Sequence, residues 1–169
     1  FILVDIPLLQ CEKTEIWARP VSPYASNGVG MLFLPEVDDE VVLQFINEDP
    51  CHPVIIGSLY SRKRKTPVSL DPKNNLKTIV TKNQLKITLD DDKKIITIGT
   101  PGENTLILDD DKKQILLSDA NKNKVCMDKN GIMVESGKDL IFKARGNVKT
   151  EGMGIESKSK QDTKINGLN

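Results

Sequence analysis

The sequence predicts an all-β chain in two parts. A small closed barrel of five short strands occupies residues 1–60, a polar linker spans 61–75, and a repetitive β shaft fills 76–169. Three observations predict this. Residues 89–94 and 108–113 both read L-D-D-D-K-K, 19 residues apart, and 19 further on Met127 opens M-D-K-N-G. Beyond Ser136 the beat shortens, with Asp139, Asn147, Ile155 and Thr163 opening blocks spaced by 8. A fixed short period marks a repeat architecture. Finally, the first 60 residues alternate short apolar runs with Pro, Gly and Asn turns, and no stretch has helical patterning.

In the barrel half, residues 1–9 (F-I-L-V-D-I-P-L-L) read as a strand, with Pro7 marking an edge or a bulge. Residues 14–21 form the second strand. Residues 22–30, with Pro23, Asn27-Gly28 and Gly30, form a turn-rich loop. Residues 31–34 are a short apolar strand, 40–47 (E-V-V-L-Q-F-I-N) the fourth and 54–60 the fifth. Closure of so many short strands into a barrel removes unpaired edges.

In the shaft half, Leu85, Ile87 and Leu89 alternate with Lys86, Thr88 and Asp90. The same period of two recurs in Ile96 and Ile98 and in Leu106 and Leu108, which places each apolar set on one face of a strand. Such strands are not self-sufficient. Ordering about 8 residues costs roughly 8–16 kcal/mol of backbone entropy, and burying about three apolar side chains returns roughly 5–9 kcal/mol. With one or two apolar residues per block, the shaft fits a narrow core shared by several chains, an intertwined β-prism that is most simply a trimer. Ile87, Leu89, Ile96, Ile98, Leu106, Leu108, Val134 and Ile141 are the expected axis residues. Residues 163–169 continue the beat, so the stack stops bluntly, and Ile165, Gly167 and Leu168 would form an apolar docking platform at that end.

Composition narrows the function. The formal net charge is zero, yet residues 1–60 hold two basic and nine acidic side chains, leaving the remainder at +7. An acidic barrel argues against a nucleic-acid partner. Cys11, Cys51 and Cys126 are scattered and odd in number, which gives neither a disulfide framework nor a zinc site. No apolar run reaches membrane-spanning length. The chain opens on Phe1 inside an apolar run and reads as part of a longer one.

Residues 17–60 carry a resemblance. The W-A-R strand, the Y-A-S-N-G-V-G loop, the F-L-P-E-V-D-D-E-V run, the D-P-C-H-P turn and the closing I-I-G-S-L-Y resemble the OB-fold domain of contractile-injection spike proteins. That family includes phage baseplate hub spikes and the VgrG proteins of type VI secretion. The resemblance implies an OB-fold barrel followed by a trimeric, triple-stranded β-helix with 8-residue repeats. It implies a structural needle that pierces the target envelope, is assembled in the bacterial cytoplasm and is delivered outward on contraction. It further implies hub, tube or baseplate partners on the N-terminal side and a PAAR-type tip protein at the C-terminal end, with the target membrane met only by piercing. The chain departs from larger members in having no hub domain ahead of the barrel. It departs from some phage spikes in having no room for a lysozyme domain in 61–75, and from others in having no H-x-H tip.

Several residues invite a chemical reading. Asp90–Asp92 and Asp109–Asp111 lack the staggered spacing and glycine of a calcium loop, and two lysines follow each triplet, so they read as solvated turns. His52, the only histidine, lies beside Cys51 in a turn, and sequence neighbours do not make a nucleophile–base pair. Arg62-Lys63-Arg64-Lys65 reads as a solvated linker run. The expectation is therefore a non-enzymatic protein with no metal or cofactor. The rival readings are a carbohydrate- or nucleic-acid-binding OB module on a repetitive β stalk, and a hexapeptide-repeat acyltransferase. One Trp, two Tyr and four Phe, with an acidic barrel, count against the first. A period of 8 and no histidine in the repeats count against the second.

Overall fold

The computed structural model describes residues 1–7, 13–161 and 163. It is all-β apart from a short 3-10 turn at Ile46–Glu48. The chain divides into two compact units, Phe1–Thr78 and Ile79–Asn169.

The first unit contains β1 (Ile2–Asp5), β2 (Glu15–Pro20), β3 (Ala25–Ser26), β4 (Val29–Gly30), β5 (Val41–Phe45) and β6 (Pro53–Ser58). Four of these make a mixed sheet in the order β1-β2-β6-β5. The β1–β2 and β5–β6 pairs are antiparallel, and β2–β6 is parallel through Arg19↔Val54 and Pro20↔Ile55. Its core forms where β2 meets β6: Ala18, Val54 and Ile55 are buried.

The strand expected over 31–34 is absent, and the loop expected over 22–30 contains the β3–β4 hairpin instead. Asn27-Gly28 supplies the hairpin turn, with Gly28 at φ +73°. The sheet has edge strands at β1 and β5. Residues 61–75 carry no strand and fall within the first unit.

The second unit is a seven-stranded antiparallel meander in strict chain order. Its strands are β7 (Leu76–Val80), β8 (Lys86–Asp90), β9 (Ile95–Gly99), β10 (Thr105–Asp109), β11 (Gln114–Ser118), β12 (Lys124–Asp128) and β13 (Gly131–Glu135). The 19-residue repeat is thus a two-strand step, one strand out and one back. In β8–β13 each strand pairs with its own chain's neighbours. Backbone pairing in these strands is thus met within one chain. The blocks of 8 beyond it, residues 139–161, contain no strand.

The Asp-rich turns explain why the strands reverse where they do. Asp90 Oδ1 accepts the Lys93 N–H at 3.0 Å, and Asp109 Oδ1 accepts the Lys112 N–H at 2.9 Å. The last residue of each turn, Lys94 or Lys113, sits at positive φ, 53° and 49°. The first aspartate of each triplet braces its turn. The third aspartate of the second triplet, Asp111, meets Lys94 of the neighbouring turn at 2.8 Å.

Candidate assembly surface

The register of the meander assembles one continuous apolar face. In one cross-strand row Ile87 faces Ile98, Ile98 faces Leu106, Leu106 faces Leu117, Leu117 faces Val125 and Val125 faces Val134. Two residues along, Leu89, Ile96, Leu108, Ile115, Met127 and Ile132 make a second row in the same way. All twelve side chains are apolar and, by the period of two, share one face.

The opposite face is mixed. Its central row begins Thr88, Thr97 and ends Cys126, Met133, and it carries the Thr105–Ser118 hydroxyl pair at 2.7 Å. Cys126 on that side is buried and accepts from Gln114 Nε2 at 3.2 Å.

The apolar face is open in the single chain. Most of its side chains are exposed, Ile132 and Leu117 the most. Ala18, Pro53, Val54, Ile55 and Cys126 are the buried apolar side chains among the described residues. Twelve apolar side chains aligned in two rows, nine of them exposed and Leu106, Leu108 and Val125 half-buried, mark an interaction surface.

Seven of the eight expected axis residues lie on this face: Ile87, Leu89, Ile96, Ile98, Leu106, Leu108 and Val134. Ile141 does not; it lies past β13, in no strand and exposed. Ile165, Gly167 and Leu168 fall outside the described residues. Leu117, Ile115, Val125, Met127 and Ile132 complete the face without having been singled out from sequence. The 19-residue offset was the available signal, since it steps from Ile87 to Leu106 to Val125 and from Leu89 to Leu108 to Met127.

The charged turns at the border of the face carry shifted carboxylates. The Lys112 N–H, and then the Lys112 ammonium, hold the Asp109 carboxyl below the ordinary carboxylate value. The Lys93 N–H does the same for Asp90, and the Asn123 N–H and side chain for Asp119. The bond to Asp111 raises Lys94.

In the first unit Asp49 accepts the Cys51 N–H at 2.8 Å and meets His52 Nδ1 at 3.0 Å, so its carboxylate braces the turn that contains both. Arg64, one of the four basic linker residues, lies 3.5 Å from Asp39.

Comparison with known proteins gives two family matches. Residues 2–60 match the type VI secretion system/phage-baseplate injector OB domain. Residues 94–156 match the phage baseplate V C-terminal trimerisation domain. The second match covers β9 to β13 and the blocks that follow, as far as residue 156. Among individual proteins, the chain is 33% identical over 69 residues to the type VI secretion system spike protein VgrG3 of Vibrio cholerae, covering 41% of this chain and 7% of that protein. It is 32% identical over 68 residues to the spike protein VgrG4b of Pseudomonas aeruginosa, covering 40% and 8%. It is 30% identical over 69 residues to the actin cross-linking toxin VgrG1 of Vibrio cholerae, covering 41% and 6%. The matched segment spans less than a tenth of the length of these curated relatives.

Proposed function

This chain belongs to the spike family of contractile injection machines, which takes in VgrG and phage-baseplate proteins, and from that premise we propose that it is a homotrimeric structural spike. In this reading the OB unit closes into a barrel and mounts on hub, tube or baseplate proteins. The three meanders turn their apolar faces inward as a prism, and the blocks from residue 139 wind together as a triple-stranded β-helix. The trimer is assembled in the bacterial cytoplasm and driven outward on contraction, meeting the target membrane by piercing it. Its C-terminal end carries a PAAR-type tip protein on Ile165, Gly167 and Leu168. The role is mechanical, and no catalytic step is assigned to any residue.

The observation that carries the reading is the open apolar face of β8–β13. Copies related by rotation about an axis would cover it for each other. Its match to a trimerisation domain supports three copies over two. Light scattering on the purified chain tests it. The expected mass is three copies of an 18.8 kDa chain, and a folded monomer at micromolar concentration would overturn the trimer.

A further inference from the structure

The first unit presents an exposed apolar segment of its own. Residues 31–34, M-L-F-L, have the composition of a strand but lie in none. Both ends of the segment are fixed. Ser22 Oγ donates to the Met31 carbonyl at 2.7 Å and the Met31 N–H donates to the Tyr24 carbonyl at 2.9 Å. Just beyond the segment, the Glu36 N–H donates to Asp39 Oδ2 at 2.9 Å, and Arg64 approaches the other oxygen of Asp39. Gly30 sits at φ +148°, where an added Cβ would lie 2.6 Å from the Tyr24 carbonyl oxygen, so the approach to Met31 is specified by glycine. Between these anchors the N–H groups of Leu32, Phe33 and Leu34 meet no acceptor among the described residues. Leu32 is 80% exposed and Phe33 66%.

We propose that residues 31–34 pack against the first unit of a neighbouring copy, so that subunit contact extends beyond the shaft into the OB units. This rests on the trimeric reading. Two observations select a second copy as the occupant. The first is connectivity. The first unit, Phe1–Thr78, and the second, Ile79–Asn169, are parts of one continuous chain. Trimerised second units therefore hold three first units at an effective concentration on the order of millimolar, where a modest apolar contact is occupied. The second is charge. Residues 1–60 hold nine acidic and two basic side chains, yet residues 20–35 contain no charged residue at all. Identical acidic units repel wherever their carboxylates approach, so an uncharged stretch is where copies can meet. A basic partner would instead be drawn to the acidic remainder. Fixing both ends of the segment in advance lowers the ordering cost of that contact.

Amide hydrogen exchange on the full-length chain tests this, with mass measured on the same sample. In the trimer, the amides of Leu32, Phe33 and Leu34 should exchange at least tenfold more slowly than freely exposed amides. In a Phe33→Asp chain that remains trimeric through its shaft, that protection should vanish. A trimer whose 31–34 amides exchange at free rates would overturn this proposal alone and leave the spike reading standing, with the segment open to another protein. Protection unchanged in Phe33→Asp would also overturn it. A monomeric wild-type chain would overturn both readings.

Discussion

Asp109 shows how one side chain can set a turn and its pH response. Its carboxylate is almost fully covered, accepts the Lys112 N–H and pairs with Lys112 Nζ at 2.9 Å. Its folded-state pKa is lowered from 3.8, so the folded chain binds fewer protons than the unfolded chain around that value. The stabilisation is present above the ordinary carboxylate pKa and is lost as pH falls through it towards the lowered folded value. Asp90 and Asp119 shift in the same direction and add to the same acid window. Thermal melts at neutral pH should show Asp109→Ala losing several degrees. Asp109→Asn should lose less, because an amide oxygen can still accept the Lys112 N–H. Only below that lowered folded value should the wild type and Asp109→Asn converge. A gap that stays constant from neutral pH to well below the ordinary carboxylate pKa would show that the charge contributes nothing. At this scale the sequence was partly legible. L-D-D-D-K-K read correctly as a turn, but residue order could not distinguish the bracing Asp109 from Asp110, or from Asp111, which reaches Lys94.

At the scale of elements, the meander separates its two faces by chemistry, and substitutions on the two should differ in kind. Leu108 lies in the apolar row between Ile96 and Ile115, whereas Thr97 lies on the mixed face opposite Thr88 and Ile107. Leu108→Asp should abolish the trimer at neutral pH, because each chain would bring a carboxylate onto the shared face and desolvating each one costs several kcal/mol. Thr97→Asp should leave the mass unchanged. Light scattering on both variants decides it, and a trimeric Leu108→Asp with unchanged melting would invert the assignment of faces. Alternation made Ile87, Leu89, Ile96 and Ile98 readable from sequence alone. It failed at Ile115-Leu116-Leu117, where three apolar residues in a row fit either face. Only the cross-strand register, with Leu108 opposite Ile115, settles that strand. It failed differently at residues 31–34, where the strand signal is real but the chain supplies no partner, and at Ile141, whose block forms no strand within one chain.

Across the whole molecule, the proposed reading gives the two repeat periods different parts in stability. The 19-residue repeat builds strands whose hydrogen bonds close within one chain, so copies joined there are held by side-chain burial and can separate without breaking backbone pairing. The blocks of 8 from Asp139 onward differ. Leu140, Ile141, Phe142, Val148, Met153 and Ile155 are exposed, and residues 139–161 form no strand. Under the proposed reading those blocks obtain their backbone partners from other copies, and wound chains separate only by unwinding along their length. That is a kinetic barrier more than an equilibrium one. The full chain should therefore run as a trimer in SDS at room temperature and fall to monomer only after heating. A chain ending at Ser136 should still scatter light as a trimer in native buffer, because its apolar face is intact, but should run as a monomer in SDS without heating. Equal SDS resistance in both would place the barrier in the meander instead, and a full chain that dissociates in cold SDS would remove interwinding from the account.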